Sequence, residues 1–133
     1  MSDAIKLSVA MDSAVKILAV DDEPSITESM RFIFRQPDYE VTGVNDSDDA
    51  LTKLTEESQG YDIVITDQKM PFRSGIELVR ELRKRNFTGK IMVLSAHLSP
   101  EVREEYEQMD VHVMVDKPFN IHDLRRALDS LAA

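Results

Sequence analysis

The sequence predicts an α/β fold: a five-stranded parallel sheet with helices on both faces. Short apolar runs alternate with longer amphipathic segments on the spacing of βαβ units. The runs at 15–20, 61–66 and 90–95 are rich in Ile, Val and Leu, as strands buried on both faces are. Right-handed crossovers then leave few arrangements for the chain.

Each element has its own signal. The run Val15-Lys16-Ile17-Leu18-Ala19-Val20 is the first strand, and 24–36 is a helix with Pro24 in its first turn. Residues 39–44 form the second strand. Residues 46–59 form a helix with Ala50, Leu51 and Leu54 on one face. The third strand, 61–66, runs into Asp67. A helix over 74–86 carries Ile76, Leu78, Val79 and Leu82 inward, and 90–95 is the fourth strand. Ser99-Pro100-Glu101 opens the next helix with a cap, a proline and an acid in the first turn. The fifth strand covers 111–115. Asn120 opens the last helix, with Asp123 three residues on in the manner of a capping box. Residues 1–14 stand apart as an N-terminal extension, and the domain proper is 15–133. Ile5, Leu7, Val9 and Met11 alternate as an edge strand would; the preferred reading is a disordered leader, with Met11 as an alternative start.

Composition narrows the function. The 133 residues fit one domain, and 42% hydrophobic content supports a core. There is no Cys, which removes disulfides, thiolate metal sites and a Cys nucleophile. His97, His112 and His122 lack ligand spacing. No apolar run approaches a membrane span, and no signal-peptide pattern opens the chain. The reading is therefore a soluble, cytoplasmic protein with no membrane contact. A net charge of −9 argues against direct nucleic-acid binding.

In open α/β sheets, ligands bind at the carboxyl ends of the strands. Asp21, Asp22 and Glu23 follow the first strand, Asp67 the third, Ser95 and Ala96 the fourth, and Lys117 and Pro118 the fifth. Any one of these acids alone reads as a helix cap or turn residue. Together they gather carboxylates at one pole opposite a hydroxyl and an ammonium. Two carboxylates about 4 Å apart repel by roughly 4 kcal/mol at a typical effective dielectric, so a cluster calls for protonation or a cation. A hard, oxygen-seeking ion such as Mg²⁺ fits. Asp67 can then act as a covalent nucleophile toward a phosphoryl group. Lys117 and the Ser95 hydroxyl are suited to its oxygens.

These residues resemble the receiver domain of two-component response regulators, the chemotaxis-type receivers. The motifs are Val20-Asp21-Asp22-Glu23, Asp67-Gln68-Lys69-Met70-Pro71 with Gly75, Ser95-Ala96, and Lys117-Pro118-Phe119. The resemblance implies a flavodoxin-like, doubly wound (βα)5 fold with strand order 2-1-3-4-5. It implies that Asp67 accepts a phosphoryl group from a histidine kinase or histidine phosphotransfer protein. Asp22 would bind Mg²⁺ directly, Asp21 through water, and Lys69 through its backbone carbonyl. Ser95 and Lys117 would bind the phosphoryl oxygens. The domain would be a signalling switch acting on a downstream protein target, not an enzyme, with a phosphorylation-dependent dimer as one outcome.

The chain departs from the family pattern in three places. Met114 stands where an aromatic switch residue is usual. Asp110-Val111 replaces a Gly-Ala pair; Asp tolerates the left-handed backbone a helix end needs. Lys69 and His97 occupy the positions two after Asp67 and Ser95, which the resemblance implies flank the path of the hydrolytic water; the alternative is that both simply face solvent. The alternatives are a degenerate receiver used as a scaffold, an Asp-nucleophile phosphatase, and a flavin module. The phosphatase expects an acid at position 69, and the flavin module is disfavoured by the acids after the first strand. A single-domain regulator and a receiver cut from a longer chain both stay open.

Overall fold

The computed structural model describes residues 14–35, 37–56 and 60–132. The expected leader, apart from Ala14, lies outside them. The order is β1 (Val15–Val20), α1 (Pro24–Ile33), β2 (Tyr39–Val44), α2 (Ser47–Glu56), β3 (Ile63–Asp67), α3 (Gly75–Lys84), β4 (Lys90–Ser95), α4 (Pro100–Gln108), β5 (Val113–Asp116) and α5 (Ile121–Ala132). The strands pair in parallel in the order β2-β1-β3-β4-β5, as the resemblance implied.

The strict alternation of strand side chains splits the core in two. Leu18, Val20, Val64, Ile91 and Val93 face α2, α3 and α4. Ile17, Ala19, Ile63, Ile65, Met92 and Leu94 face α1 and α5. The central strands β1, β3 and β4 are thus sealed on both sides, which explains their unbroken apolar runs.

Helix ends follow local chemistry. Ser74 and Glu77 make a reciprocal capping box on α3, and the Ser99 hydroxyl accepts from the Val102 amide at 3.2 Å on α4. At α5 the Asn120 side chain accepts from the Asp123 amide at 2.8 Å. Helices α3 and α4 both finish in Schellman turns. Asn86 (φ 65°) and Asp110 (φ 64°) take the left-handed position. The amides of Phe87 and Val111 reach back to the carbonyls of Leu82 and Tyr106, each at 2.9 Å.

Two strands differ from expectation, each for a local reason. Val111 is consumed by the α4 turn, so β5 starts at Val113 rather than at 111. The β3 ladder starts at Ile63 rather than Tyr61. Asp62 is held instead by a bracket of bonds: its amide to the Lys16 carbonyl at 2.8 Å, its carboxylate to the Lys16 amide at 2.9 Å. The α1, α2 and α3 helices are also shorter than the amphipathic stretches that announced them, although 57–59 and Gln36 lie outside the described residues.

Candidate functional site

Sheet register assembles the site. Val20 pairs with Thr66, so Asp21 and Asp67 emerge side by side at the ends of β1 and β3. Asp67 pairs with Leu94, and Ser95 pairs with Asp116. That places Ser95 and Lys117 one residue further along the same edge. The Lys117 amide donates to the Ser95 carbonyl at 2.8 Å, which fixes the start of that loop. The Lys117–Pro118 peptide is cis.

Three carboxylates converge there. Oxygens of Asp21, Asp22 and Asp67 all lie within 4.8 Å of one another. Asp21 is fully buried, Asp67 is 5% exposed, and Asp22 is open to solvent. The Lys117 ammonium reaches two of them, at 2.9 Å from Asp21 and 3.2 Å from Asp67. The pair Lys117–Asp21 joins residues 96 positions apart. Asp21 is further braced through its own backbone. Its amide donates to the Val44 carbonyl at 3.2 Å, and its carbonyl accepts from the Asn45 side chain at 2.9 Å. The Asp21 carboxylate also accepts from the Glu23 amide at 3.0 Å.

The charges do not balance. One ammonium faces three carboxylates, and each carboxylate pair at this separation repels by roughly 3–4 kcal/mol. Asp67 registers the imbalance. Burial, with Asp21 next, pushes its carboxyl up to about 6 against the pull of Lys117. Burial opposes the charge on Lys117, but Asp21 and Asp67 outweigh it and hold the ammonium above the usual lysine range. All donors are oxygens, two from buried acids and one from an accessible one. This set suits a hard divalent cation entering from the Asp22 side.

The remaining expected residues fall as follows. The Ser95 hydroxyl is engaged by its own loop: it donates to the His97 carbonyl at 2.8 Å and accepts from the His97 amide at 3.0 Å. The side chains of Lys69 and His97 are exposed, the plainer of their two expected readings. Met114 is half-buried and packs against the core on the α4 side. The loop after Asp67 is anchored by buried Met70, by the Ser47 hydroxyl on the Arg73 carbonyl at 3.0 Å, and by Arg73 against Asp48 at 3.5 Å. Phe72 in that loop is fully exposed at φ 68°.

Three contributors were given no role by the sequence. Asn45 braces Asp21, Gln68 follows Asp67, and the buried Tyr106 bonds to the Gln68 side chain. The Gln68 side chain accepts from the Ile76 amide at 3.1 Å and from the Tyr106 hydroxyl. The one available signal was Tyr106 itself, the single aromatic in the charged segment Pro-Glu-Val-Arg-Glu-Glu-Tyr-Glu-Gln.

The family model for the response regulator receiver domain matches residues 17–129. The chain belongs to the response regulator receiver domain family. Its function is that of a phospho-accepting response regulator receiver, a signalling domain of two-component systems. Among solved structures, this receiver is 30% identical to the chemotaxis protein CheY4 of Vibrio cholerae. The match covers 90% of this chain and 99% of that one, with a TM-score of 0.81. A receiver domain protein of Methanospirillum hungatei is 25% identical over 89% of this chain and 93% of that one, also with a TM-score of 0.81. The regulatory protein VanRB of Enterococcus faecalis is 30% identical over 89% of this chain and 52% of its own length. The sensor protein EvgS of Escherichia coli is 29% identical over 92% of this chain and 10% of its own length. The receiver thus spans about half of the first relative and a tenth of the second.

Proposed function

We propose that Asp67 is the phosphoacceptor and that the receiver takes its phosphoryl group from a histidine kinase or a histidine phosphotransfer protein. The observation that carries this is the Lys117 ammonium lodged between Asp21 and Asp67 inside a three-carboxylate cluster. Asp67 ends a rigid, fully buried strand, so its carboxylate is held in place for attack. One of its oxygens bonds phosphorus as the bond to the donor nitrogen breaks.

Asp22 and Asp67 would hold Mg²⁺ directly, Asp21 through water, and Lys69 through its carbonyl. When bound, the ion neutralises charge on the phosphoryl oxygens and on the carboxylates around them. Lys117 neutralises a second oxygen once the acceptor is phosphorylated. Ser95 supplies a hydroxyl to a third, and for that it must leave the His97 carbonyl that now accepts its proton. That exchange starts the switch. The protein assists only its own transfer and hydrolysis, and it acts on a downstream protein from the cytoplasm. Among the described residues, no helix is long and apolar enough to cross a membrane.

A donor surface adjoins the site. Beside the acid loop, a groove of about 870 Å³ runs between α1 and the start of α5, lined by Ser25, Glu28, Phe32, Phe119 and Ile121. Phe32 is 70% exposed there. Such an apolar ledge next to an acidic pocket fits a helical partner that carries a phosphohistidine.

The test is intact-mass spectrometry after treatment with acetyl phosphate. The expected result is one phosphoryl adduct on the wild type with Mg²⁺, and none with EDTA or on Asp67→Asn. An unmodified wild type under these conditions would contradict the proposal.

A further inference from the structure

Helix α4 is polar along nearly its whole length, yet it sinks one side chain completely into the core, that of Tyr106. A buried phenol needs a partner for its hydroxyl. Here the partner is Gln68, the residue directly after Asp67. Gln68 is held from several sides. Its amide donates to the Leu94 carbonyl at 3.0 Å, its carbonyl accepts from the Gly75 amide at 2.8 Å, and its side chain also accepts from the Ile76 amide at 3.1 Å. The residue beside the nucleophile therefore ties β4, the start of α3 and the last turn of α4 together.

Gly75 marks how tightly these parts meet. A Cβ on Gly75 would lie 2.5 Å from the Asp67 carbonyl oxygen, 2.7 Å from the Tyr106 hydroxyl and 3.0 Å from the Gln68 Cα. Asp67 is also close enough for its charge to act on the Tyr106 hydroxyl, adding to burial in pushing that group up. A change at Asp67 has a short, packed route to α4.

The same helix has a second tether. Ser95 holds His97, and Ser99 two residues later caps α4. When Ser95 turns to a phosphoryl oxygen, that tether slackens at the N-terminus of α4. The Tyr106–Gln68 bond holds the last turn and so decides how the rest of the helix responds. Position 114, where an aromatic reporter is usual, holds Met114, which has no hydroxyl and packs against the cluster that includes Tyr106.

We infer that Tyr106, acting through Gln68, is the positioning residue that couples phosphorylation of Asp67 to helix α4. This rests on Asp67 being the phosphoacceptor. Tyr106 touches neither the phosphoryl group nor its donor; it acts by holding the residue that follows Asp67.

The experiment follows backbone amide resonances of the whole receiver before and after phosphorylation with acetyl phosphate and Mg²⁺, with adduct formation checked by mass. Tyr106→Phe keeps the ring and removes only the hydroxyl. In the wild type, resonances over 100–108 should shift together with those around Asp67, Ser95 and Lys117. In Tyr106→Phe the adduct should still form and the shifts around the site should remain, while those over 100–108 lose most of their amplitude. Gln68→Leu serves as the second variant if Tyr106→Phe does not fold, with the same expectation. Equal α4 shifts in the folded variant would overturn the inference. So would a phosphorylated wild type whose α4 stays still, and either result leaves the acceptor assignment standing. A wild type that takes up no phosphoryl group would overturn both.

Discussion

Asp67 keeps only 5% of its surface exposed and shares that space with Asp21, so its carboxyl is pushed up to about 6. The sign of the consequence follows from linkage. The folded state holds this proton more tightly than the unfolded chain does. The stability it contributes is full below about pH 4 and is lost as the pH rises through about 6. In metal-free buffer, Asp67→Asn should therefore stabilise the fold more at pH 7.5 than at pH 4.5. The expected difference is about 2 kcal/mol. Urea titrations of both proteins at the two pH values would measure it, and equal gains would refute the account of Asp67. Added Mg²⁺ should shrink the gap, because the cation stabilises the ionised carboxylate. Lys117→Met is the complementary case. It leaves the fully buried Asp21 without its ammonium and should cost about 3 kcal/mol at neutral pH by the same measurement. At this scale the sequence was informative about chemistry and silent about partners. Asp21, Asp67 and Lys117 could be read because each follows an apolar run. Tyr106 stands out as the single aromatic of its charged segment, but its partner could not be read, because the bond that matters crosses from α4 to Gln68.

Element ends, more than element centres, shape this site. The capping box at Ser74 starts α3 immediately after the acceptor loop, and Gly75 lets that helix touch the Asp67 carbonyl. Gly75→Ala should destabilise the fold by about 1–3 kcal/mol through overpacking and slow phosphorylation as well. A thermal melt and a phosphorylation time course together would check this, and an unperturbed variant would mean that the close approach is relaxed. The exposed Phe72 is the opposite case. A bulky side chain at φ 68° is strained and gains nothing from burial. Phe72→Gly should raise stability by about 1 kcal/mol, read from the shift in the urea midpoint. Apolar runs and stripes located the strands and the first three helices, while cap residues at Ser99 and Asn120 located α4 and α5. The pattern overran the starts of β3 and β5 and the bounds of α1, α2 and α3, since hydrophobic pattern continues where backbone bonding stops. Val111 is apolar and looks like strand, yet its amide closes the Schellman turn of α4. Asp110 fulfilled its expectation: it takes the left-handed position there, as a substitute for Gly should.

At the scale of the molecule, the parallel sheet collects residues from four distant loops at one edge. Nothing local in the sequence joins Asp21 to Lys117, but the order β2-β1-β3-β4-β5 brings them to 2.9 Å. The fold and the acidic pole were thus legible together, because one follows from the other through strand topology. The engagement of Ser95 with His97 was not legible. It depends on which way a hydroxyl turns, and sequence pattern carries no such information. The whole account depends on Asp67 becoming an acyl phosphate. The most direct measurement is borohydride reduction of the acetyl-phosphate-treated receiver, followed by peptide mass mapping. An acyl phosphate is reduced to an alcohol, so the account expects homoserine at position 67 in the Mg²⁺-treated sample and intact Asp67 in the EDTA control. Homoserine at another position, or none in a Mg²⁺-treated sample, would contradict it.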